Sequence, residues 1–117
     1  MITREAVEAA MSRSEGDLAG RWLHDYYLLN YGIAPSEAKS VPGNPVRSFM
    51  DWMNAGAADL CDRWNVCDLK KQHDDSILFA AALAELYVNK LQYSTDGAIS
   101  VSVLAVRYGI DTFCHCE

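Results

Sequence analysis

The stretch Asp75-Ser76-Ile77-Leu78-Phe79-Ala80-Ala81-Ala82-Leu83-Ala84-Glu85-Leu86-Tyr87-Val88-Asn89-Lys90-Leu91-Gln92-Tyr93 decides the fold. Asp74 or Asp75 can cap a helix, and Ile77, Phe79, Ala81, Leu83, Ala84, Leu86, Val88 and Leu91 leave little of its circumference polar. A helix apolar on nearly every side belongs at the centre of a bundle, so this one is expected to be the central helix. Glu85, Asn89 and Gln92 fall at i, i+4 and i+7, a single polar line expected to face solvent. The run from Ser76 to Leu91 is interrupted by Glu85, Asn89 and Lys90 and is shorter than the ~20 residues of a bilayer span.

Helices follow on either side. Thr3 caps one over about residues 4–13, with Ala6, Val7, Ala10 and Met11 on one side. Ser14 with Asp17 opens a second that Gly32 closes. Its apolar stripe is Leu18, Ala19, Trp22, Leu23, Tyr26 and Leu29, with Asp25 off its centre. All three prolines lie in the segment 33–45, which reads as a loop. Asn44 and Pro45 then start a third helix expected to run to about Trp64, with Val46, Phe49, Met53, Ala57, Leu60 and Trp64 inward. Residues 97–108 read two ways. Ile99 to Val103 alternate like a strand, which would need a second copy to pair with and hence a homodimer across residues 98–106. Asp96 as cap and Gly109 as stop favour a helix, the reading adopted. The expectation is an all-α fold, a compact bundle of four to five helices in a single domain over residues 1–117.

The 117 residues are 50% hydrophobic and 22% charged, the composition of one globular domain. Sixteen acidic against ten basic side chains give a formal charge of −6, which opposes direct nucleic-acid binding. With no basic and apolar leader at the N-terminus, the sequence reads as cytoplasmic, and its four cysteines as reduced thiols.

Few residue patterns point to chemistry. Cys61, Cys67 and His73, with Cys114-His115-Cys116 at the end, supply metal-ligand types, but dependable zinc pairs sit two to four residues apart. His24-Asp25 and His73-Asp74 resemble the His-Asp pairs of HD-type metal-dependent phosphohydrolases; that likeness implies several ligands converging in a sizeable helical cavity. No phosphate-binding Gly-rich loop or nucleophile elbow occurs. The sequence therefore assigns no catalytic residue, metal or cofactor.

Trp52 lies off the Phe49, Met53 and Leu60 seam, and an exposed Trp is a favoured binding anchor. Asp51, Asp59, Asp62, Asp68, Asp74 and Asp75 surround it in sequence and offer carboxylates to a basic partner. An indole there should be removable at little cost to stability. The functional expectation is a small acidic protein-binding or inhibitory protein that engages a basic protein surface without touching nucleic acid or membrane. By analogy alone, an immunity-type or phage-encoded inhibitor of a nucleic-acid-binding complex fits that description. The alternative is a metal-binding protein or metal-dependent enzyme with Cys/His ligands.

Overall fold

The computed structural model describes residues 2–38, 43–57 and 59–116. They form six α-helices: α1 (Arg4–Met11), α2 (Glu15–Tyr31), α3 (Pro45–Ala55), α4 (Val66–Gln72), α5 (Ser76–Leu91) and α6 (Thr95–Tyr108). No strand occurs among the described residues, and none of their helices is long and apolar enough to cross a membrane.

Local chemistry sets most of the helix ends. The hydroxyls of Thr3 and Ser14 accept from the N–H groups of Ala6 and Asp17, the Asn44 side chain from Arg47, and Asp75 from Ile77. Gly32 closes α2 in the left-handed region at φ 74°, where a side chain would be strained. After α2 a 3₁₀ turn covers Pro35–Glu37. The rest of the anticipated proline loop, Lys39 to Pro42, lies outside the described residues.

The third helix differs from expectation. It ends at Ala55, with Gly56 as cap, and the chain re-enters helical geometry as a π turn over Asp59–Arg63. Phe49, Met53 and Leu60 still face the core, because the wider turn carries Leu60 inward after the break. Asn65, at φ 52°, then redirects the chain into α4, a helix the sequence reading did not separate. These two events raise the helix number above the expected four to five.

The centre of the bundle also moves. Every residue from Gly97 to Ala105 is buried, so α6, not α5, is the central helix; α2 and α5 pack along it and α1 spans α5 and α6. Its alternating pattern of Ile99, Val101 and Val103 with Ser100 and Ser102 belongs to a helix enclosed on all sides. Small residues let neighbours approach, and Ser100 returns its hydroxyl proton to the Asp96 carbonyl. Ser94, not Asp96, caps α6, while Asp96 pairs with Arg21 at 3.0 Å. Because residues 98–106 are interior, strand pairing with a second copy is replaced by intrachain packing. The line Glu85, Asn89 and Gln92 on α5 is exposed, as expected.

Asp25, read as lying off the centre of the α2 stripe, is buried against the start of α6. Its Oδ2 accepts from the Ser94 N–H at 2.8 Å and the Ser94 hydroxyl at 2.7 Å, and that hydroxyl accepts from Gly97 N–H. A carboxylate at a helix N-terminus is favoured by the exposed amide dipoles. Gly97 is a requirement of the arrangement, since a Cβ there would overlap the Asp25 carboxylate.

The cysteines are not free thiols. Cys61 is bonded to Cys114 and Cys67 to Cys116, with Cα separations of 5.5 and 5.3 Å. After a 3₁₀ turn over Ile110–Thr112, both bridges fasten the C-terminal tail to the π turn and α4. The expectation of reduced thiols fails because the fold brings residues about fifty positions apart into bonding geometry, which spacing along the chain does not express.

Candidate functional site

Trp22, Tyr26, Tyr27 and Tyr31 recur along α2 at helical spacing, and Asp51, Trp52 and Ala55 face them from α3. Between the two helices lies an open groove walled by these side chains. Trp52 is half-buried and sits among five other rings: its centroid is 5.3 Å from Trp22, 6.0 Å from both Tyr87 and Tyr93, 6.3 Å from Phe49 and 6.4 Å from Tyr26. Offset ring pairs of this kind add stability beyond their buried area. The indole is thus part of the packing as well as part of the surface.

On its other side Trp52 walls a second cavity, of about 180 Å³, with Met53, Leu60, Trp64, Tyr87 and Asp59 around it. Trp64 meets the Tyr87 ring edge-on at 5.3 Å. The Tyr87 hydroxyl is directed at Met53 Sδ, 3.5 Å away. Burial drives the Tyr87 phenol far above its ordinary pKa, with Tyr93 adding to the effect; burial likewise raises Tyr93, and the Asp25 charge pushes it the same way. Burial raises Tyr26 as well, helped by Tyr31. These walls are neutral hydroxyl-bearing rings at neutral pH.

Of the six carboxylates singled out from the sequence, two reach the depressions that Trp52 separates. Asp51 lines the groove and Asp59 the second cavity. Asp59 pairs with Arg63 at 3.3 Å in the π turn. The others are placed elsewhere. Asp62 lies beside the tail with Cys61, Cys67 and His115. Asp68 accepts from the Asn65 side chain at 2.7 Å, and Asp74 stands near Lys70 and His73. Asp75 caps α5 and pairs with Arg4 at 3.2 Å; the bond from Ile77 N–H, then Arg4, hold its pKa below the ordinary carboxylate value.

Tyr26, Tyr31, Trp64 and Tyr87 belong to this face and were not recognised in the sequence. Tyr26 and Tyr31 share a helix with Trp22, a signal available beforehand; Trp64 and Tyr87 are joined to Trp52 only by the tertiary fold. Tyr31 is 62% exposed, and Leu28, Leu29 and Ile33 near it in the chain are exposed as well. No protein-family model, curated protein or solved structure matches this chain.

The His-Asp dipeptides do not converge. His24 is exposed, with Nδ1 3.7 Å from its neighbour Asp25, whereas His73 ends α4. Among the described residues no group of three or more Cys, His, Asp or Glu side chains is positioned to hold a metal ion. What the aromatic face does offer is ring surface for stacking, apolar depressions for anchoring side chains, and two rim carboxylates to attract positive charge.

Proposed function

We propose that this protein is a binding module that engages a basic surface of a protein partner through the aromatic face centred on Trp52. The observation that carries the reading is the position of that indole: half-buried, rigidly packed, and shared by two depressions each bearing a carboxylate, Asp51 on one and Asp59 on the other. A rigid aromatic anchor loses little conformational entropy on binding, and acidic rims steer a basic partner. The net charge of −6 acts in the same direction. An inhibitor that presents carboxylates where its target expects phosphates is one form of this activity.

The two disulfides bear on where it acts. Bridges of this kind persist in oxidising compartments, so we place the working protein there instead of in the reducing cytoplasm expected from the sequence. They also weigh against the metal-centred alternative, because bridged sulfurs are not thiolate ligands.

The test is Ala55→Lys. Ala55 is exposed and lines the groove, so a lysine there obstructs it and repels a basic partner while leaving the core intact. A partner captured by the native protein, identified and purified, should bind Ala55→Lys at least about tenfold more weakly, and its affinity for the native chain should fall as salt rises. Equal affinity for both proteins, with no dependence on salt, rejects the reading.

A further inference from the structure

We propose that the cavity between Trp52 and Trp64 receives an arginine side chain of the partner, its guanidinium stacked on the indoles and bonded to Asp59. This deepens the preceding reading and rests on it. The cavity measures about 180 Å³, and a 150 Å³ apolar cavity is known to accommodate benzene, so the space suits the head of one side chain. Its walls are aromatic and aliphatic side chains, and the single charged residue among them is Asp59. Aromatic faces attract cations, and a planar guanidinium can lie on an indole while forking onto a carboxylate, which an ammonium cannot.

The chain already carries an arginine next to this position. Arg63 reaches Asp59 with Nε 3.3 Å from Oδ1, in the i, i+4 relation of the π turn, and the two side chains remain 80% and 62% exposed. A pair so open to water holds weakly and yields readily to a better-placed cation. Arg63 therefore competes in cis for the carboxylate that an incoming arginine would use, and it keeps Asp59 directed and compensated while the site is empty of partner. The Tyr87 hydroxyl, turned to Met53, presents no competing donor.

The experiment titrates the oxidised protein with N-acetyl-arginine amide and, separately, with its apolar counterpart N-acetyl-norleucine amide, following the indole N–H resonances of Trp52 and Trp64. Saturable shifts of both indoles with the arginine probe alone are expected. Asp59→Asn should weaken that binding about tenfold, the worth of one charge-assisted bond. Arg63→Gln should strengthen it about twofold to fivefold by removing the internal competitor. Both substitutions are at exposed positions, and unchanged circular dichroism verifies folding. Norleucine binding as well as arginine, no effect of Asp59→Asn, or no saturable shift at either indole would each overturn the proposal. If the purified partner is lost on Ala55→Lys yet indifferent to Asp59→Asn, the arginine pocket is refuted while the binding face stands.

Discussion

Removing the disulfides one pair at a time should give nearly equal losses of stability whose sum falls short of the loss when both are removed. Cys61–Cys114 spans 53 positions and Cys67–Cys116 spans 49, so either bridge alone closes a long loop in the unfolded chain, an entropic restriction of about 4 kcal/mol. The bridges interleave along the chain, with Cys67 inside the first loop and Cys116 two residues beyond it. Once one is formed, the other closes only the short circuit between Cys61 and Cys67 and back through Cys114 to Cys116, roughly eight residues and about 2.5 kcal/mol. The double variants Cys61→Ala/Cys114→Ala and Cys67→Ala/Cys116→Ala should therefore each lose about 2.5 kcal/mol, and the fourfold variant about 6 to 7 kcal/mol. Urea unfolding of the oxidised proteins, followed by far-ultraviolet circular dichroism, measures these differences, and intact mass under non-reducing conditions establishes the bridges. Two pair deletions that sum to the fourfold loss would refute the shared-loop reasoning; a native mass corresponding to four free thiols would refute the pairing itself.

Gly97→Ala should destabilise the bundle by about 2 to 3 kcal/mol, because its methyl group must displace the Asp25 carboxylate from Ser94; urea unfolding reads the loss, and a neutral effect would contradict the close approach of α2 to α6. Tyr87 and Tyr93 have folded pKa values raised by burial, so their contribution to stability is complete below the ordinary tyrosine pKa and is lost as pH rises above about 10. Absorbance at 295 nm should consequently show two of the six tyrosines ionising only as the protein unfolds in alkali. Asp75 is depressed, so its contribution is complete above the ordinary carboxylate pKa and disappears as pH falls through the folded value. The deficit of Asp75→Ala in thermal midpoint should be full at neutral pH and shrink in acid below about pH 4. Trp52→Ala should lower the unfolding midpoint as well as weaken partner binding, while Trp52→Phe recovers most of the stability, because a ring still packs against Trp22 and Phe49.

The parts of this fold that could be read along the chain are those fixed within one turn of helix. Thr3, Ser14, Asn44 with Pro45, Asp75, Gly32 and Gly109 all mark the boundaries expected of them, since capping and left-handed closure involve residues only a few positions apart. The break at Gly56 was missed because Leu60 and Trp64 keep an inward periodicity through a π turn, and the start of α4 because Asn65 sets it by its backbone without a side-chain cap. Asp25 reads only as a residue off the centre of its stripe until Ser94 and Gly97 are brought to it. The 75–93 helix reads as central from its apolar circumference, while the alternating serines of 99–103 read partly as a strand; in place, Ser100 satisfies its hydroxyl against its own backbone, and small side chains let α2 and α5 close around α6. Of the candidate site, Trp52, Asp51 and Asp59 were legible from residue type and neighbourhood. Trp64 and Tyr87 were not, because nothing in their local sequence states that they meet the same cavity.

The disulfides and the aromatic face are parts of one construction. Leu60 and Asp59 line the cavity beside Trp52, and both belong to the π turn whose Cys61 is bonded to Cys114. A π turn is the least regular segment of a helix, and this one follows a glycine break, so its own hydrogen bonds do little to fix its position. The outside constraint comes from the tail. Phe113 and Cys114 are buried, Ile110 anchors the 3₁₀ turn in the core, and the covalent bridge carries that anchorage to the turn bearing Asp59. The central helix α6 thus supports the cavity in two ways: through Asp25 and Ser94 it fixes α2, which backs Trp52, and through the residues following Tyr108 it fixes the π turn opposite. The proposed binding site, assembled from a helix and an irregular turn, gains rigidity from this covalent tie, and rigidity before contact would limit the entropy lost on entry of a partner side chain.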